Sequence, residues 1–376
     1  MRYLFGILDS RFMADIIWAV KQGGNRQRRN RRKVWRISRD IRRFQKSSRV
    51  GSPQKTAPSP RTDKVEPVKR PSSHTSHEIW LPGKMDFESN YEETAVCLRY
   101  LRNASEGLFA VRKLRFDRLR EISPASALVL ASEVDRWNQL VGGRLKAEVH
   151  RWQEDVKRLL FEMGYFELLH LPRPMCATEQ NDLTFLKFLK GHSGEGDKGK
   201  LAKQLRINIE AIVGQRIRKR LLFDGLSEAI TNVGQHAYPL NDPSSNKKEW
   251  WLSASYDKGS RNLYVVFYDQ GIGIPSTLPR STIFESMKEF FGSWSDSQKI
   301  QAAMGYGRSS TFRLERGKGL PNLVEFFSAH EDGQLSIYSH YGLFQMTNTP
   351  NKPRATILRD HKTSIGGTLI EWSAKL

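Results

Sequence analysis

The sequence predicts an α/β (α+β) protein: two folded segments of strands and helices behind a basic tail. From about Glu78 onward, short apolar runs of period two alternate with longer ones of period 3.6. A chain of 376 residues is long enough for two domains with buried cores. The charge is lopsided, since residues 1–80 hold 20 of the 61 Lys and Arg but only 6 of the 40 Asp and Glu. Most of the net charge of +21 therefore belongs to the tail and says little about the folded part. The expected division is a tail over residues 1–77, a first domain over 78–171, a connecting strand and helix over 172–222, and a second domain over 223–376.

In the tail, the first twenty residues are partly apolar, but Asp9, Arg11 and Asp15 interrupt them. They fail as a signal peptide, which needs a basic start, an unbroken apolar core and a small-residue cleavage site; an amphipathic surface helix stays open. Residues 21–77 are rich in Arg, Gln, Ser and Pro, so they bury too little surface to offset their ordering entropy and read as disordered. Residues 34–44 (V-W-R-I-S-R-D-I-R-R-F) recur at helical spacing with a basic face. They suit nucleic acid, an anionic membrane or an acidic partner; a solvated tail, or an upstream extension from a misplaced start codon, is the other reading. No run of 18 apolar residues occurs, so no transmembrane segment is expected. Cys97 and Cys176 are too few for a disulfide framework and share no metal-ligand spacing with a His, which leads us to expect reduced, buried thiols in a cytoplasmic protein.

Order is expected from Glu78, with a strand over 79–87, a helix over 91–105 and an alternating strand over 110–116. Ser123 caps a helix whose first position is Pro124, where no amide is lost, and which runs to Trp137. A helix over 155–163 ends at Gly164, followed by the apolar residues 165–171. A connecting strand (183–189), a polar loop (191–199) and a helix (201–212) lead into the second domain.

Four elements in that domain carry chemistry. In F-D-G-L-S-E-A-I-T-N-V-G-Q-H-A-Y (223–238), Leu226, Ile230, Val233 and Ala237 make one helical stripe, while Glu228, Asn232 and His236 stand four apart along another edge. A carboxylate one turn before an amide suits a metal held by the amide oxygen and a proton taken by the carboxylate; a solvated helix face would look the same. In L-Y-V-V-F-Y-D-Q-G-I-G-I-P (263–275), an apolar strand delivers Asp269 to a turn whose Gly271 and Gly273 permit positive φ and close backbone approach. There Asp269 can accept a hydrogen bond from an exocyclic amine. In R-G-K-G-L-P-N-L (316–323), Gly317 and Gly319 precede a helix start that favours phosphate, and Lys318 adds a point charge. Last, G-G-T-L-I-E-W (366–372) is a strand whose small first residues allow close approach.

In this order and at these separations, the four elements resemble the ATPases named for gyrase, Hsp90, histidine kinase and MutL. The resemblance covers about 150 residues and implies a two-layer α/β sandwich of the histidine kinase-like type, the Bergerat fold, with a mixed sheet against helices and ATP in a pocket under a mobile lid. Residues 282–314, with their glycine- and hydroxyl-rich M-G-Y-G-R-S-S-T, would be the lid. Asn232 matches the magnesium ligand and Glu228 the carboxylate that activates water or an acceptor hydroxyl. Asp269 matches the residue that bonds the adenine amine, with Thr368 supporting adenine beside it. Gly271 and Gly273 shape the adenine side, Gly317 and Gly319 the phosphate side, and His236 matches a position near the phosphates.

Residues 114–137 (L-R-F-D-R-L-R-E-I-S-P-A-S-A-L-V-L-A-S-E-V-D-R-W) resemble, less specifically, the STAS domain of anti-anti-sigma factors, over about Glu78 to Leu171. In that family a Ser after an Asp is phosphorylated; here Ile122 replaces the Asp and Pro124 follows Ser123, so an N-cap is the favoured reading of Ser123. An interaction or dimerisation module is expected. No phosphoacceptor-type His-Glu or His-Asp helix precedes Leu201, so a complete sensor histidine kinase is not expected. The expectation is a regulator that uses ATP and Mg2+ either to phosphorylate a partner protein, as anti-sigma serine kinases do, or to switch contacts. An ATPase-driven dimeric clamp and a binding module without catalysis are the alternatives.

Overall fold

The computed structural model describes residues 78–106, 111–141, 145–172, 182–192, 198–215, 217, 220–238, 248–277, 294–306 and 332–376. The tail reading, with its candidate helices, lies outside them.

The fold is α+β, built on a seven-stranded sheet. Its strands are β5 (Leu183–His192), β6 (Glu249–Asp257), β7 (Asn262–Asp269), β8 (Gly333–Ser339), β9 (Gly342–Asn348), β10 (Ala355–Asp360) and β11 (Thr368–Lys375). The order is β10-β9-β8-β11-β7-β6-β5. Every neighbouring pair is antiparallel, which corrects the expected mixed sheet. Tight turns such as Tyr341 between β8 and β9 return the chain on itself, and β11 enters antiparallel between β7 and β8. The expected connecting strand over 183–189 is β5, which runs on to His192 and joins the sheet beside β6, with a register shift between Leu186 and Leu189.

Period two decides which residues face which layer. Leu252, Phe267, Ile370, Ile337 and Phe344 line up across one face and pack against the helices α5 (Lys198–Val213), α6 (Arg220–Asn232) and α8 (Asp296–Tyr306). The stripe read from the sequence, Leu226, Ile230, Val233 and Ala237, is buried in that core. This is the sandwich of sheet on helices. The short α7 (Ile274–Thr277) follows β7.

Residues 78–171 cover the opposite face. They contain β1 (Glu78–Trp80), β2 (Lys84–Met85), α1 (Tyr91–Ser105), β3 (Lys113–Arg115), β4 (Glu121–Ile122), α2 (Pro124–Val141), α3 (Glu154–Met163) and α4 (Tyr165–Leu168). The expected strand over 79–87 is two short pieces, β1 parallel to β3 and β2 parallel to β4. Ser123 caps α2, accepting from the Ser126 amide at 3.3 Å, and Gly164 ends α3 in the left-handed region at φ 98°. The fully buried Leu128, Val129 and Leu130 of α2 share one core with Trp251, Tyr268, Tyr338 and Leu369 of the sheet. Tyr91 of α1 stacks on His361 and donates from its hydroxyl to the Thr363 carbonyl at 3.0 Å. The segment resembling a STAS domain thus closes its core against the sheet itself.

Candidate functional site

The site forms where β7 and β11 begin and end side by side. Asp269 closes β7 and pairs in register with Thr368, which opens β11. Both lie on the same face as Phe267 and Ile370, toward α6, because side chains alternate along a strand. Asp269 is 6 % exposed and Thr368 5 %. Asp269 accepts from the Gly271 amide at 2.9 Å. Burial pushes its carboxyl up to about 7, and that hydrogen bond offsets only part of the effect. A carboxyl so placed has acceptor capacity in a dry setting, beside a hydroxyl.

The turn after Asp269 is clamped to the end of the α6 segment. The Ile272 amide donates to the Ala237 carbonyl at 2.8 Å, and the Gln270 amide to the Tyr238 hydroxyl at 3.2 Å. Tyr238 in turn donates to the Glu249 carbonyl at 2.9 Å. A Cβ at Gly271 would stand 2.5 Å from the Ala237 carbonyl oxygen, so only glycine allows this approach; Gly273 supplies a φ of 76°. The first two elements read from the sequence therefore meet.

Past Asn232 the expected α-helix does not continue: Val233–Ala237 is a π-helical turn. The wider turn carries His236 off the straight edge that four-residue spacing would draw through Glu228 and Asn232, which correct the expected single edge of three polar groups. Glu228 lies on the backbone of α6, Asn232 ends that helix half-buried, and His236 is exposed in the π turn. Gly317, Lys318 and Gly319 lie outside the described residues, as do residues 282–293 and 307–314 of the expected lid. The rest of that lid is the helix α8, which is held to the core by the fully buried Ile300 and by Met304. Ser297 donates from its amide to Asp360 at 3.0 Å and from its hydroxyl at 2.8 Å. That portion is corrected from mobile cover to anchored helix.

Ser339 and His340 belong to the site and were missed in the sequence. The Ser339 hydroxyl accepts from the Ile274 amide at 2.9 Å and lies 3.1 Å from the Thr368 hydroxyl. His340 Nε2 contacts the Ser276 hydroxyl at 2.9 Å and the Ile272 carbonyl. In sequence, Ser-His-Tyr-Gly reads only as a hairpin turn; what brings it here is the pairing of β8 with β11, which has no local signal.

Among the described residues no three His, Cys, Asp or Glu side chains gather as a metal site. A magnesium ion held by phosphate oxygens and water would ask only for an amide such as that of Asn232. The acceptor chemistry of Asp269 and Thr368 fits an adenine amine. No helix among the described residues is long and apolar enough to cross a membrane. Neither a family model nor a curated protein matches the chain.

Proposed function

We propose that this protein is an ATP-dependent regulator of the histidine kinase-like ATPase type, which uses Mg-ATP to phosphorylate a partner protein or to switch protein contacts. The observation that carries the reading is the buried Asp269 carboxyl beside Thr368, at the foot of a glycine turn locked against the end of α6. Asp269 would accept from the adenine amine, and Asn232 would hold the ion through its amide oxygen. When bound, Mg-ATP supplies an activated phosphoryl group; the chain's part is to orient the base, exclude water and, at Glu228, take a proton from the incoming hydroxyl.

Isothermal titration of the full chain with Mg-ATP tests this. Wild type should bind, and Asp269→Asn should lose about a hundredfold in affinity, because an amide hydrogen then faces the adenine amine in one orientation and the turn in the other. GTP, with a carbonyl in place of the amine, should bind at least about tenfold more weakly than ATP. An acid held near 7 must ionise to accept well, so affinity should rise from about pH 6 to pH 8, with a proton released on binding, and the Asp269→Asn profile should be flat. No Mg-ATP binding by wild type, or binding untouched by Asp269→Asn, sinks the proposal. Glu228→Ala separates the two uses: turnover lost with binding kept means phosphotransfer or hydrolysis, and no change in either means a switch.

A further inference from the structure

Gln270 follows Asp269, and its side chain leaves the turn on the opposite side, toward α2. Its amide oxygen accepts from Arg136 Nε at 3.0 Å and from Nη2 at 2.7 Å. Its amide nitrogen donates to Ser132 Oγ at 3.2 Å and to Glu133 Oε1 at 3.3 Å. All four of its side-chain contacts are thus made to one helix of the layer formed by residues 78–171. Glu133 is wholly buried and takes the Arg102 guanidinium as its partner, with Arg102 Nε at 3.0 Å. Arg102 Nη2 also donates to the Tyr268 hydroxyl at 3.0 Å and to the Ile365 carbonyl at 3.2 Å. The Tyr268 hydroxyl donates to the Gly366 carbonyl at 3.1 Å, and the Arg102 guanidinium fills the space that a side chain at Gly366 would need. The network therefore holds both backbone turns that frame Asp269 and Thr368, the one after β7 and the one before β11.

We propose that Arg136 and Gln270 are positioning residues for the base-binding turn, and that the α1–α2 layer, through Arg102 and Glu133, sets nucleotide affinity from behind the sheet. The idea rests on Asp269 being the base-reading residue. Its physical content is preorganisation: a turn fixed before the ligand arrives loses less freedom on binding. Any partner that shifts α2 would act on both turns together, since Glu133 Oε1 takes both the Arg102 guanidinium that holds the turn before β11 and the Gln270 amide of the turn after β7.

The test uses the full chain as Arg136→Met, Gln270→Met and the double variant, with Asp135→Ala as control. Asp135 lies on the same helix, but its ion pair is with Lys190 of β5, at 2.7 Å, rather than with Gln270. Amide hydrogen exchange in nucleotide-free protein should show Gly271 and Ile272 exchanging faster in both single variants and unaltered in the control. Mg-ATP affinity should fall about tenfold in each single variant and by clearly less than the product of the two in the double, because the Arg136–Gln270 hydrogen bonds are lost in either. Arg136→Lys, which keeps the charge but not the two-nitrogen grip, should recover only part of the affinity. Unchanged exchange at the turn overturns the proposal, and so do additive losses in the double variant or an equal affinity loss in Asp135→Ala. If wild type binds no Mg-ATP, the nucleotide reading of the site fails, while the exchange measurement still decides whether Arg136 and Gln270 fix the turn.

Discussion

On the α6 side of the sheet, the rung Leu252, Phe267, Ile370, Ile337 and Phe344 is followed by Ala254, Val265, Trp372, Leu335 and Met346, all apolar. On the side covered by residues 78–171, the rung Trp251, Tyr268, Leu369, Tyr338 and Leu343 gives way to Ser253, Val266, Glu371, Ser336 and Gln345. At these rungs the first face holds its helices through non-directional burial. The second adds directional contacts, Arg102 with Glu133 and Arg136 with Gln270, and these end at the backbone of the candidate site. The difference teaches that both faces of one sheet can be closed by apolar burial while only one of them runs a charged network to the backbone of the site.

The contrast breaks most readily at its apolar side. Phe267→Ala, at a position 1 % exposed, should cost about 3–5 kcal/mol in denaturant melts. On the polar side, Glu133→Leu leaves the Arg102 charge buried without its partner and should cost about 3–4 kcal/mol. Adding Arg102→Met should return most of that loss, a recovery that no second substitution around Phe267 should give.

Glu371 sharpens the comparison through pH. Burial, with Asp86 and Glu88 adding like charge, pushes its carboxyl up to about 8. The folded protein then keeps a proton that the unfolded chain releases above its ordinary carboxylate range. Stability contributed by the neutral acid is present at low pH and lost as pH rises toward and through 8. Glu371→Gln should therefore leave the melting temperature unchanged near pH 4 and raise it near pH 9, by on the order of 2 kcal/mol of stability. The smallest effect belongs to the helix that carries the network: Ser123→Ala removes the α2 cap and should cost about 1 kcal/mol, measured by thermal melts at neutral pH.

Local chemistry was legible in the sequence. The Ser123 cap, the Gly164 stop, the α6 stripe and the strand ending at Asp269 each depend on neighbours within a few residues, and each is where the pattern put it. The pairing of Thr368 with Asp269 joins two of the elements that the resemblance had drawn together. What escaped has its partner far along the chain. Leu183 to Leu189 reads as a strand, but its place in the sheet appears only when β6 lies beside it, and Ser339 reads as a turn residue until β11 brings Thr368 to its hydroxyl. Arg102 looks like an ordinary charge on a helix surface, because its partners Tyr268 and Ile365 stand more than 160 residues away along the chain. The π turn after Asn232 escaped for another reason, since Val-Gly-Gln-His-Ala keeps an α-helical pattern of apolar residues through a wider backbone turn.

The place of β11 in the sheet bears on how the chain acquires its shape. It is the final strand of the described chain, yet it sits between β7 and β8 and supplies hydrogen bonds to both. During synthesis the α1–α2 layer, complete at Val141, emerges more than two hundred residues before the strand at Thr368 that completes the surface beneath it, on the order of ten seconds or more at ordinary elongation rates. Until then its apolar helices have only a partial platform, so folding should be slow and dominated by distant pairings. Nascent chains stalled before Thr368 would be the species most in need of chaperone protection.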